Sequence, residues 1–319
     1  MKVSADFILR PLSVVLLSLA AFLSVSAYPQ SREGFVTPWG DPDLQGTWSY
    51  ASLTPLQRPL ELGDKEFYTE QEAARINQRS RQEQVDAPGD TGNYNVGWFD
   101  QGNVSADLRT SLIVYPPDGR LPLTDAARQL LAERAAYRRD HPADSYTDRT
   151  PWDRCITYHG VPPVSTGYNN TYLIVQNPDY VAIYVENIHD VRIIPLDGRP
   201  PLDPGIRQWN GDSRGHWEGN TLVVTTTNYS EKTELRFPSS ESMQAVERFT
   251  RVADDRIDYQ FTVEDPATYS RPWTAVRPMP ALDDYTIFEY ACHEGNYAMY
   301  NILRGARVQE AAEAAADSP

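Results

Sequence analysis

Tyr172-Leu173-Ile174-Val175-Gln176-Asn177-Pro178-Asp179-Tyr180-Val181-Ala182-Ile183-Tyr184-Val185 is the stretch that decides the fold. Both arms are rich in β-branched and aromatic residues, and Asn-Pro-Asp between them suits a tight turn. The stretch predicts an antiparallel hairpin. The same pattern recurs downstream, with strands expected at 190–195, 216–217, 221–229, 245–252, 256–264, 273–278 and 285–291. Short polar turns separate them: Leu196-Asp197-Gly198, Glu218-Gly219-Asn220 and Ala253-Asp254-Asp255. Many short strands with no helix between them favour a barrel or sandwich over an α/β plan. An all-β antiparallel barrel over residues 109–308 is the expectation.

Upstream, residues 28–108 read as an arm, a first strand near Asp43–Tyr50 and a helix packed on the barrel. Thr69-Glu70-Gln71-Glu72 is a capping box that opens the helix, and Val85–Asn103 is a loop in which Trp98 and Phe99 suggest attachment to something. A strand at 109–115 leads through Pro116-Pro117-Asp118-Gly119 into a second peripheral helix, which Thr124 caps and which stops at Asp140-His141-Pro142. The tail 309–319 has nothing to bury and reads as frayed helix or disorder.

Residues 1–27 read as a secretory signal. Lys2 and Arg10 precede an apolar run from Leu12 to Val25, and Val25-Ser26-Ala27 is a small-residue cleavage site. The mature chain is then secreted or periplasmic, with no membrane attachment after cleavage. A formal net charge of −15 repels nucleic acid and anionic headgroups. Cys155 and Cys292 are the only cysteines, and in an exported chain they are expected to pair. A catalytic thiol at Cys292 beside His293 is the rival reading.

Three polar clusters interrupt the strands: Asn187-Ile188-His189-Asp190-Val191-Arg192, Gly211 to Glu218, and Tyr290 to Asn296. Each joins a histidine to a carboxylate, and two add an arginine; such groups are costly in a sheet unless partnered or used. If the strand from Tyr180 ran unbroken past Asn187, His189 would share the apolar face of Val181, Ile183, Val185, Val191 and Ile193 and point into a cavity. A satisfied core histidine, a turn for Trp217-Glu218-Gly219-Asn220, and rim ion pairs are the bland alternatives. No metal-ligand spacing, Gly-x-Ser-x-Gly elbow, Walker loop or dinucleotide fingerprint is present, so neither a metal nor a cofactor is expected.

The segments Trp39 to Trp48, Leu53 to Pro59, Arg109 to Val114, Asp212 to Val224, Val246 to Val252 and Tyr290 to Tyr297 resemble a large group of uncharacterised exported bacterial proteins. The resemblance implies a periplasmic or secreted home and hands over no catalytic residues. Gly46-Thr47-Trp48 is also similar to the Gly-x-Trp of lipocalins, which implies a barrel around one small apolar ligand. Here a helix and a long loop follow the motif, where a lipocalin runs on into strands.

The expected function is a secreted, cofactor-free enzyme doing acid/base chemistry, as a lyase, isomerase, cyclase or hydrolase, on a small apolar or aromatic molecule in a barrel cavity. His189 and His293 would transfer protons, Asp190, Asp212 and Glu294 would tune them, and Arg192 and Arg214 would steady negative charge. Tyr184, Asn187, His216 and Trp217 would help to hold the substrate. The rival is a lipocalin-type binding or carrier protein that changes no bond.

Overall fold

The protein is described by a computed structural model over residues 34–86, 100–233 and 235–316. The signal-like segment 1–27, with Trp98 and Phe99 of the long loop, lies outside the described residues. In chain order the elements are β1 (Gly46–Ser49), α1 (Glu70–Asp86), β2 (Ile113–Tyr115), α2 (Asp125–Asp140), β3 (Thr171–Gln176), β4 (Tyr180–Val185), β5 (Asp190–Pro195), β6 (Asp212–Glu218), β7 (Thr221–Thr227), β8 (Gln244–Ala253), β9 (Arg256–Glu264), β10 (Trp273–Pro280) and α3 (Tyr297–Ala316).

The opening hairpin forms as its sequence dictates. Asn177 Oδ1 accepts the amides of Asp179 and Tyr180 at 2.9 and 2.8 Å, closing the turn between β3 and β4. Gly219 takes the positive φ that the β6–β7 turn needs. Thr69 and Glu72 cap α1 reciprocally, with Thr69 N donating to Glu72 Oε2 at 2.8 Å and Glu72 N to Thr69 Oγ1 at 3.2 Å. Thr124 Oγ1 accepts the Ala127 amide at the start of α2.

The strands pair antiparallel throughout and make two sheets, of order β1-β3-β4-β5 and β2-β10-β9-β8-β7-β6. The sheets approach each other at both edges. On one side a backbone bridge joins Trp48 to Ala281, just past β10. On the other, β6 crowds β5 so closely that a Cβ on Gly215 would stand 2.7 Å from Ile194 Cγ2, which only glycine avoids. The hydrogen-bonded ladder does not run round these edges. The all-β antiparallel plan is therefore present, as two sheets and three helices rather than one closed barrel with two.

Large side chains fill the space between the sheets, among them Trp48, Tyr172, Phe249, Tyr259, Phe261 and Trp273, each at most 1% exposed. Burial of that apolar surface is the main stabilising term. One polar knot lies within it. Arg192 Nη1 donates to Glu247 Oε1 at 3.0 Å, its Nη2 also pairs with Glu247, and Ser213, Thr226 and Tyr259 satisfy the remaining positions.

Residues 285–291 differ from the sequence reading and make no strand, because no neighbouring strand offers them a ladder. Residues 309–316 take the helical alternative of the tail, continuing α3 in an alanine-rich stretch with high helix propensity, and no residue of α3 is buried. The disulfide between Cys155 and Cys292 is formed, its Cα atoms 5.6 Å apart. It is compatible with export, and no helix among the described residues is long and apolar enough to cross a membrane.

Candidate functional site

The strand β4 ends where Glu186 turns into helical backbone and Ile188 and His189 take positive φ, 61° and 46°. A β-branched residue in that region is strained, and such strain persists only where the surroundings impose it. The kink drives Glu186 and Asn187 beneath the end of the four-stranded sheet, where both are completely buried.

A strap formed by residues 282–296 crosses this sheet end. Glu186 Oε1 holds it, accepting the Tyr285 hydroxyl at 2.7 Å and the Phe288 amide at 3.1 Å. Further along, His189 Nδ1 lies 2.7 Å from the Tyr290 carbonyl, which can only accept, so Nδ1 is the donor. Tyr290 stacks on Tyr168 with centroids 6.2 Å apart, and the disulfide fastens the next turn to Cys155. Asn296 Nδ2 then donates to the Asp153 carbonyl at 3.1 Å.

Between strap and sheet end opens a cleft of about 990 Å³. That is the size range of small-molecule sites. Ser49 and Thr171, from the ends of β1 and β3, contribute to its lining. Trp152, Tyr168, Tyr285, Phe288 and Tyr290 wall it with rings, and Asp100, Asp153 and Glu289 bring carboxylates. Arg149 pairs with Asp153 at 3.1 Å.

Electrostatics single out Asp100. Although the residue is exposed by area, its carboxyl is crowded, and burial together with the negative charge of Glu186 raises its pKa above the ordinary value, partly offset by the Gly102 amide. Burial and the hydrogen bond to Glu186 likewise raise Tyr285, keeping its phenol protonated. Glu186 Oε2 is buried without a hydrogen-bond partner among the described residues. A carboxyl with a raised pKa in an aromatic cleft is able to exchange a proton with a bound molecule.

The structure brings the first and third clusters together through His189 and Tyr290, and the first meets the second in the core through Arg192 and Ser213. Asn187 lies under the cleft, its Nδ2 3.5 Å from the Tyr168 carbonyl. Tyr184 is half-buried on β4, while His293 and Glu294 are exposed just beyond the bridge. Asp190 sits instead beside buried His159, whose Nε2 is 3.5 Å away, and accepts Asn210 Nδ2 at 2.5 Å. Burial pushes its pKa up, but His159 and Asn210 more than reverse this and leave it lowered. Arg192 is engaged in the core. Asp212 accepts Arg214 Nη1 at 2.6 Å and the Leu202 amide at 2.8 Å, while Arg214 Nε donates to the Pro200 carbonyl. His216 and Trp217 lie toward the far end of β6, where exposed His216 meets Glu218 at 3.2 Å. His216 stands four residues from Asp212, about 13 Å along an extended strand.

The kink also corrects the face assignment. His189 is exposed rather than inward, Val191 and Ile193 are about half exposed, and Arg192 and Ile194 face the core. Sequence reading passed over Asp100, His159, Glu186 as a buried acid, and Tyr285. Glu186 is the detectable one, because a carboxylate closes the most apolar strand. Among the described residues no three His, Cys, Asp or Glu side chains are grouped as metal ligands. Comparison with family models, curated proteins and solved structures gave no match.

Proposed function

We propose that the protein is an exported, cofactor-independent enzyme that transfers a proton on a small, largely apolar or aromatic molecule held in the cleft beneath the strap. The observation that carries this reading is Asp100, a carboxyl whose pKa is raised by burial and by Glu186, at the edge of an aromatic cleft of about 990 Å³. A carboxylate with a raised pKa is the stronger base, which suits lyase, isomerase or cyclase chemistry better than a surface acid would. Asp100 takes the proton, and Tyr285, whose hydroxyl donates to Glu186, holds the wall against which the substrate lies. His189 and His293 are both exposed and neither lines the cleft. The lipocalin-like plan of a ligand inside a barrel gives way to a ligand at the sheet end, because the space between the sheets is filled.

The test begins with incubating the oxidised protein with small cyclic and aromatic carbonyl or hydroxy compounds in D₂O and reading deuterium incorporation or product by NMR. For a substrate found this way, Asp100→Asn is expected to lower kcat by about 10²–10⁴-fold while affinity falls by no more than about tenfold. Parallel loss of binding and turnover, or binding without any exchange in the wild type, would instead identify a carrier.

A further inference from the structure

We propose that the cleft selects an organic cation, a protonated or quaternary amine joined to an apolar or aromatic body. The inference rests on the cleft being a ligand site and adds the charge of what enters it.

Among the described residues its lining contains three carboxylates, Asp100, Asp153 and Glu289, and no lysine, arginine or histidine. Among them, Asp153 alone has a cationic partner within the described residues, Arg149. Behind the wall lies Glu186, 0% exposed, forming no ion pair and with Oε2 unpartnered among the described residues, although its other oxygen is bonded to two residues that line the cleft. A carboxylate buried without a cation is costly, and a positive charge brought into the adjoining cleft lowers that cost.

The aromatic walls point the same way, since ring faces attract cations most strongly where water is excluded. Tyr168 and Tyr290 present parallel rings, interplanar angle 12°, and Tyr285 meets Phe288 edge to face at 6.1 Å. The acids are not grouped as metal ligands. A bulky, diffuse cation that touches rings fits this better than a compact metal ion.

Charge segregation around Trp152 argues that the negative lining is more than the general acidity of the chain. Trp152 is also a wall of a second cleft, of about 580 Å³, lined by Arg134, Arg138 and Arg236 and by no Asp or Glu among the described residues. Clefts of opposite sign that share one indole each have their own field. The raised carboxyl of Asp100 adds a linkage: a cation favours its ionised form, so affinity rises with pH through the Asp100 titration.

The experiment titrates the disulfide-intact protein with benzyltrimethylammonium, phenylacetamide and phenylacetate by calorimetry at low salt. The cation is expected to saturate one site at least about tenfold more tightly than the amide, to weaken with added salt, and the anion to show no binding. Glu289→Gln and Asp100→Asn are each expected to weaken the cation about 3–10-fold, and Phe288→Ala about as much. Glu289 is exposed, so its variant keeps the test valid even if a buried change disturbs folding. Equal affinity for amide and cation would overturn the charge selection and leave the ligand site standing. Absence of binding by all three would overturn both. Cation binding untouched by all three substitutions would place it elsewhere on the protein and likewise overturn the proposal.

Discussion

At Arg192 a single reversed face changes the meaning of a residue. Read along an unbroken strand, it belongs to a polar surface; after the kink at Asn187-Ile188-His189 it is nearly buried and paired with Glu247. Burial opposes its charge, and Glu247 more than restores it, so its pKa stands above the ordinary value. Removing one partner alone strands the other charge. Arg192→Ala is therefore expected to cost about 3–5 kcal/mol, whereas Arg192→Met with Glu247→Leu is expected to be near neutral, both read by urea denaturation. Equal destabilisation by both would show that the pair is not acting as a unit.

Asp100 supplies a pH test of the cleft. Because its folded-state pKa is raised, its contribution to stability is complete below the unfolded value of about 3.9 and is lost as pH rises through the folded value. Asp100→Asn removes that loss, so the variant is expected to match the wild type in acid and to melt higher near neutral pH, measured as Tm against pH. An offset independent of pH contradicts it. None of this was legible in the sequence, since burial of Asp100 and its nearness to Glu186 arise from segments 86 residues apart, which no local period connects. The pairing of Cys155 with Cys292 was legible, because only one partner existed.

At the scale of elements, hairpin turns made the sheets readable. Asn177-Pro178-Asp179 and Glu218-Gly219-Asn220 set their strands by local chemistry alone. Residues 285–291 show the limit of that logic. Their pattern suits a strand, but a strand exists only where a neighbour completes its ladder, and a buried carboxylate takes the Phe288 amide instead. Contact between separate elements was equally hidden. Gly215 lets β6 lie against β5, and a methyl group there meets Ile194 and Leu196 at 2.7 and 2.8 Å. Gly215→Ala is expected to destabilise by about 1–3 kcal/mol in chemical unfolding. Gly305→Ala, in exposed α3 with open space around it, is expected to be neutral or to stabilise by up to about 1 kcal/mol. If both glycines tolerate alanine alike, the close approach of the sheets is not real.

Over the whole molecule, the sheets carry the core and the strap walls the candidate site, and different forces hold them. The sheets are closed by the hydrophobic cluster between them, whereas the strap is fixed by the disulfide, Glu186 and the His189–Tyr290 contact. Cys155→Ser with Cys292→Ser is expected to lower global stability by about 2–5 kcal/mol and to abolish ligand binding in the cleft before the sheets unfold. Hydrogen exchange that speeds first in 282–296, with the strands still protected, is the measurement; uniform acceleration would show one cooperative unit.

That division has a practical corollary for anyone producing the protein. Material made in a reducing cytosol would give the circular dichroism of an intact β protein and pass as native, yet arrive with the wall of the cleft unlatched, and a failed screen on such a preparation would not test the proposal.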